Sequence, residues 1–544
     1  MKRILPVLLI CALLFGCGGK TKKESVTMDT SGKYILDTAR NEAVIDDTPK
    51  VAESCQSNAR VFYQIFVGSF SDSNGDGIGD LRGIINRMDY LNDGDDNSGL
   101  SLGVEGIWLT PIFASPSYHK YDVTNYYKID PAFGTEEDLK ELIALCHERN
   151  VKLILDLTVN HSATANTWFQ EFASAQSKGD TQDPYYDFYT HADQPINGRT
   201  FYKIPGCNRY YEGNFSSAMP EMNFDNQFVR QTMVDVAKYY LQMGVDGFRF
   251  DAAKYVYYGD AQANAEFWDW YMTQLRAIKD DIYTVAEVWD SDNVVYPYHS
   301  ATNCFNFTMS QAQGRIAEAA KGGNVNNLTG YLQGYIDKIK AINPDAMLVS
   351  FISNHDMDRA AGFLTMAGGR AMMAASLNIL TPGSPFIYYG EEIGMLGSRG
   401  GANTDANRRL AMLWGDEDTV KNPEGTTYKA QQANGTVASQ LPDGNSLVNH
   451  YKRLIAIRKA HPEIGMGTYT QVKGTGNRVG GFLSAYNGST VMVLHNTTEE
   501  ALTVDLAQLN GPQMTAISAT AGMGSAHIDG TVLTIDAQTS VILK

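Results

Sequence analysis

Four short stretches of this sequence end apolar runs on groups that can carry protons or attack carbon. DLTVNH carries Asp156, Asn160 and His161, and GFRFDAAKY carries Arg249, Asp251 and Lys254. AEVW carries Glu287, and ISNHD carries His355 and Asp356. One Asp after a strand is most simply a helix cap; four strand ends behaving alike are not explained by capping. Arg249 and Asp251 share parity, so on a strand both point to one side, where the guanidinium holds the carboxylate ionised. Three carboxylates around one pocket suit cleavage of a glycosidic bond, which needs an acid and a carboxylate flanking it. They suit a metal site equally well, and the residue types alone leave both open.

Chemistry of either kind needs a scaffold that brings distant strand ends together. Eight strand-like runs occur: VFYQIF (61–66), VEGIWLT (104–110), VKLILDLTV (151–159), VDGFRF (245–250), IYTVAEVW (282–289), CFNFTM (304–309), AMLVSFIS (346–353) and PFIYYG (385–390). Several are apolar almost throughout, as parallel strands buried on both faces must be. Amphipathic segments lie between them. In GTEEDLKELIALCHERN, Thr135 is a cap and Leu139, Leu142, Ile143 and Cys146 follow at helical spacing. Alternation of this kind predicts an α/β fold, a (β/α)8 TIM barrel, whose chemistry gathers at the C-terminal strand ends.

Two regions break the rhythm. From 161 to 225 the chain is rich in Tyr, Asn, Asp and Gly, which reads as a domain inserted after strand three. From 467 to 544 short alternating strands predict a C-terminal all-β sandwich domain. The barrel then comprises 58–160 and 226–466. Residues 1–17 read as an export signal, a basic MKR followed by an apolar stretch too short to span a membrane once mature. A polar tether follows over 18–57.

The net charge is −17 over 544 residues, with no basic cluster in the folded part. Nucleic acid is therefore excluded as a partner, since phosphate binding needs concentrated Lys and Arg. The 30 Tyr and 22 Phe leave a neutral polymer such as a glycan open. Cys55, Cys146, Cys207 and Cys304 fit no metal-ligand spacing. DSNGDGIGD (72–80) places Asp72, Asn74 and Asp76 at alternate positions, with Asp80 beyond. An EF-hand is ruled out, because its twelfth position is Gly83 rather than a bidentate Glu and a strand rather than a helix precedes it. Oxygen donors so spaced still suit a hard cation.

In order and spelling, DLTVNH, GFRFDAAKY, AEVW and ISNHD resemble the four signature regions of the α-amylase family of glycoside hydrolases. YHKYDVTNYYKIDPAFGT, MPEMN and IYYGEEIGM match that family as well. The resemblance runs from about Arg60 to the end. It implies Asp251 as nucleophile, Glu287 as general acid/base with a raised pKa, and Asp356 as the carboxylate that grips sugar hydroxyls. Arg249 would orient Asp251. His161 and His355 would bond the sugar, Tyr121 would stack on it beside Asp122, and Lys254 would contact the acceptor side. It implies Ca2+ in the 72–80 loop, bound by Asp72, Asn74, Asp76, Asp80 and the Ile78 carbonyl. The expected substrate is an α-glucan cleaved with retention. A neopullulanase, an α-glucosidase, a 4-α-glucanotransferase and a non-catalytic glucan-binding subunit remain alternatives. Leu14-Phe15-Gly16-Cys17 resembles a bacterial lipobox, which implies a lipid on Cys17, a place in the outer membrane or on the cell surface, and glucan-uptake proteins as partners.

Overall fold

The computed structural model describes residues 47–365, 369–476 and 478–544, with the backbone of 27–28 and 34–35. The signal 1–17 and Cys17 lie outside the described residues, as does most of the tether. The tether's expected end at 57 is moved: Val51 exchanges two backbone hydrogen bonds with the Asn97 side chain, at 2.8 and 3.1 Å, and the Asp47 carboxylate pairs with Arg453.

Eight strands form one parallel sheet: β1 Phe62–Ile65, β2 Gly106–Leu109, β3 Lys152–Thr158, β4 Gly247–Asp251, β5 Tyr283–Ala286, β6 Asn303–Cys304, β7 Val349–Ser350 and β8 Ser384–Tyr388. Their spatial order is 6-5-4-3-2-1-8-7, and a bridge between Phe305 and Val349 closes the ring. Strands β6 and β7 are shorter than their apolar runs predict. CFNFTM turns after two strand residues because the Asn306 side chain caps a 3-10 turn over Phe307–Met309.

Aromatic rings fill the barrel interior. Phe62 stacks on Phe386 at 4.7 Å and on Tyr283 at 4.4 Å, with Trp108, Phe305 and Phe351 around them. Room for them comes from Gly106, where a Cβ would sit 2.4 Å from the Phe62 ring. This dry plug is the floor on which the strand-end groups stand. The helices around it are those the periodicity predicts. Glu136–Glu148 starts at a capping box from Thr135 to Asp138 and buries Leu139, Leu142, Ile143 and Cys146. Gln227–Met243 follows the insert and stops at Gly244.

The segment after β3 contains a helix the composition hides, Thr167–Lys178, capped by Asn166 and buried through Phe169, Phe172 and Ala173. A three-stranded antiparallel sheet of 191–192, 201–203 and 210–212 completes it. The C-terminal domain is two antiparallel sheets, five-stranded and three-stranded, on a shared apolar core. Its strands Val479–Tyr486 and Ser489–Asn496 are joined by Asn487-Gly488, both at positive φ, the two-residue hairpin that Asn-Gly favours. No helix among the described residues is long and apolar enough to cross a membrane.

Candidate active site

The C-terminal ends of the barrel strands open into a cavity of about 1500 Å³. Asp251 at the end of β4, Glu287 just past β5 and Asp356 past β7 line it with Tyr121, His161 and Lys254. Three groups named from sequence are not part of that lining. Arg249 and His355 are fully buried beneath it. Asp122 turns aside, its carboxylate accepting hydrogen bonds from Ser115, at 2.7 Å, and from Ser117.

Arg249 is the organising group. Its Nη1 donates to Asp156 Oδ1 and to Asp251 Oδ1, each at 2.7 Å, and its Nη2 donates to Glu287 Oε2. One buried cation thus holds three carboxylates from three adjacent strands. The resemblance implied that Arg249 orients Asp251; here it reaches Asp156 and Glu287 as well. Asp156 lies deepest and also accepts from Trp108 Nε1 at 3.2 Å and the Tyr121 hydroxyl at 2.9 Å. Burial pushes its carboxyl up to about 7 despite the guanidinium.

The opposite wall is held by a second chain of bonds. The Gln64 amide meets His355 Nδ1 at 2.7 Å, which leaves the ring proton on Nε2. That proton faces Asp356 Oδ2 at 3.0 Å and the Tyr121 oxygen at 2.6 Å. The Tyr121 and His355 rings lie parallel, 5.4 Å apart. Burial pushes His355 below its usual range, against the pull of Asp356. Burial works against the Asp356 carboxylate too, but His355 and Arg409, whose Nη2 is 2.7 Å away, outweigh it and hold the group well below the usual range. Arg409 and Gln64 carried no signal in the sequence: neither ends a strand motif, and both reach the site from elements distant in the chain.

His161 Nε2 stands 4.0 Å from Asp251 Oδ2, buried and without a hydrogen-bond partner among the described residues, an arrangement open to a sugar hydroxyl. Lys254 is spent differently from expectation: its ammonium donates to the Trp289 carbonyl at 2.7 Å and to Asp290 at 3.1 Å. Lys120, before Tyr121, has φ 65 and turns to Asp130, 2.8 Å away, so it does not line the site.

The 72–80 loop is built from its own side chains. Asp72 Oδ1 accepts from the amides of Asn74 and Gly75, Asn74 from Asp76, and Asp76 Oδ1 from Ile78. Asp80 is a helix cap, accepting from Gly83 at 2.6 Å. Among the described residues no three acidic, His or Cys side chains converge as a metal cluster. The donor types suit a hard cation; in this arrangement the oxygens serve the backbone.

The geometry makes Asp156 a positioning residue. Asp156→Asn keeps the shape but leaves only one acceptor oxygen. Arg249 bonds one carboxylate oxygen and Tyr121 and Trp108 the other, so an amide NH2 faces one set of donors. The expected result is a roughly tenfold to hundredfold fall in kcat with KM little changed. Steady-state kinetics of the folded variant checks this, and unchanged kcat contradicts it.

Residues 64–467 match the family model described as the α-amylase catalytic domain. The chain is 36% identical over 444 residues to α-amylase 3 of Dictyoglomus thermophilum, covering 80% of this chain and 84% of that one. It is 33% identical over 408 residues to a 4-α-glucanotransferase of Thermotoga maritima, covering 71% and 84%. Among solved structures, Amy13B of Eubacterium rectale superposes with a TM-score of 0.85 at 33% identity, covering 92% of this chain and 97% of that one. An α-amylase from H. orenii gives 0.79 at 33%, covering 90% and 99%. Arg249's three carboxylates, the barrel around them and these likenesses lead to one conclusion: the chain belongs to the α-amylase family of glycoside hydrolases, enzymes acting on α-glucans.

Proposed function

We propose that this enzyme hydrolyses α-1,4-glucosidic bonds of starch-like glucans with retention of configuration. The observation that carries the proposal is the sharing of one guanidinium by Asp251 and Glu287. Retention requires the two carboxyl groups to stand about 5–5.5 Å apart, against about 6.5–9.5 Å for inversion. Asp251, fixed by Arg249, attacks the anomeric carbon. Glu287 gives its proton to the departing glucosyl oxygen, then takes one from the incoming water. Asp356, ionised and held by Arg409 and His355, accepts hydrogen bonds from sugar hydroxyls, and Tyr121 offers a ring face beside it.

Asp251→Asn and Glu287→Gln are each expected to abolish release of reducing sugar from amylose, while melting and maltooligosaccharide binding persist. Proton NMR of the wild-type reaction is expected to show the α-anomer first. Near-normal turnover in either variant, or the β-anomer first, contradicts the assignment.

We further propose that the 72–80 loop takes Ca2+. Asp72, Asp76 and Asp80 form no ion pair among the described residues, and the negative charge of Asp72 raises the Asp80 carboxyl on top of the larger effect of burial. A cation would relieve that repulsion, with the four side chains and the Ile78 carbonyl supplying oxygen. At a hundredfold excess over Kd its binding stabilises by about 2.7 kcal/mol. Calcium is therefore expected to raise the melting temperature of the wild type and not of Asp76→Ala. An equal response in both refutes the site.

Export and acylation at Cys17 remain the reading that the N-terminal motif supports, placing the enzyme on a membrane beside glucan-uptake proteins. Metabolic labelling with a radioactive fatty acid is expected to mark the wild type and not Cys17→Ser; label on neither rules out the anchor.

A further inference from the structure

Arg409 grips Asp356 from a stretch of chain that has no regular structure of its own. From Arg409 to Thr436 there is neither helix nor strand. The guanidinium is nonetheless buried and committed in three directions. Its Nη2 donates to Asp356 at 2.7 Å, its Nε to the His355 carbonyl at 3.0 Å and its Nη1 to the Tyr118 hydroxyl at 3.2 Å. Backbone without a ladder of its own holds one conformation only where something else pays the ordering entropy.

The loop after β1 does so here. The Met412 amide donates to the Ser69 carbonyl at 2.8 Å, and Trp414 Nε1 to the Phe70 carbonyl at 2.6 Å. Asp418 comes next. Its Oδ2 accepts from Ser71 Oγ at 2.6 Å and from Arg87 Nη2 at 2.8 Å, and its Oδ1 from the Asp72 amide at 3.2 Å. Further on, the Lys421 amide donates to the Gly77 carbonyl at 2.9 Å. The two segments therefore run side by side in one order, 412 to 421 along 69 to 77. Arg87, which follows the helix Leu81–Asn86, lies 4.1 Å from the Trp414 ring and also bonds Asp416 at 2.6 Å. The Arg87 side chain is 3% exposed and that of Asp418 5%, so their attraction is poorly screened. Neither lines the catalytic cavity.

We propose that Asp418 is a positioning residue for the reaction: shared by Arg87, Ser71 and the Asp72 amide, its carboxylate locks the segment after β8 onto the loop after β1 and so fixes Arg409 against Asp356. The proposal rests on the hydrolase reading above. Asp418 touches no sugar; its effect passes through the backbone from 418 to 409. Asp418→Ala removes the lock and leaves Arg87 bonded to Asp416, so no buried cation is stranded by the change.

A double-mutant cycle with Arg409→Ala tests this. The assay is fluoride release from α-maltotriosyl fluoride, a donor reactive enough to keep weak variants measurable, with calcium saturating throughout so that the 72–80 loop is in one state. Asp418→Ala is expected to lower kcat/KM by about tenfold to a hundredfold, as displacement of a binding group does, and Arg409→Ala by at least as much. The double variant is expected to lie within about twofold of Arg409→Ala, since the second change removes nothing that remains. Asp418→Asn, which keeps an oxygen for the Asp72 amide, is expected to lose less and to show the same non-additivity. Losses that multiply in the double variant reveal a general structural role and overturn the proposal. So does full activity in folded Asp418→Ala. Absence of fluoride release from the wild type refutes the hydrolase reading instead.

Discussion

One buried guanidinium carries the architecture of this site. Arg249, closed off from solvent, draws in Asp156, Asp251 and Glu287 from β3, β4 and β5. Burying charges without partners costs several kcal/mol each. Three carboxylates on one cation therefore sit together only because further donors share the load. Trp108 and Tyr121 supply them for Asp156, which burial still pushes up to about 7. The aromatic floor keeps water out, so each of these contacts acts at a strength that bulk water would screen away. Barrel, floor and cation are thus one device, in which removal of the cation leaves mutually repelling acids over an apolar plug.

The two ends of the cleft follow different physics. Toward Asp356 the walls are charged and interlocked, with Arg409, His355 and Gln64 leaving little freedom for the unit being cleaved. Elsewhere the lining is aromatic, with Trp289 laid on Phe307 and Phe215 packed against Tyr255. The inserted domain contributes His161 at its start and Phe215 on its return loop, whose rings meet at 5.0 Å.

Much of this was legible in the sequence, for identifiable reasons. Apolar runs at regular spacing announce parallel strands, and acidic groups at their ends stand out against that background, so Asp251, Glu287 and Asp356 could be singled out. Thr135 with its apolar ladder announces its helix as plainly. Other parts were hidden. The helix Thr167–Lys178 buries Phe169, Phe172 and Ala173, yet its surroundings are so rich in Tyr, Asn and Asp that the period is submerged. Asp80 reads as a cation ligand, and only the structure shows that it also caps the helix beginning at Leu81. Arg409 and Gln64 belong to no local pattern; Gln64 comes beside His355 through the pairing of β1 with β8 and of β8 with β7, strands far apart in the sequence. Lys254 shows the limit most clearly, since residue type gives its charge and only geometry shows that the charge is already engaged.

The central claim is that Arg249 presents Asp251 as the attacking group and leaves Glu287 to move the proton. Trapping the intermediate tests it directly: the enzyme is quenched with a fluorinated α-glucosyl donor whose glycosyl-enzyme turns over slowly, digested, and analysed by mass spectrometry. The account predicts a glycosyl adduct on the peptide bearing Asp251. An adduct on the Glu287 peptide, or turnover of the donor with no covalent adduct at all, would contradict it.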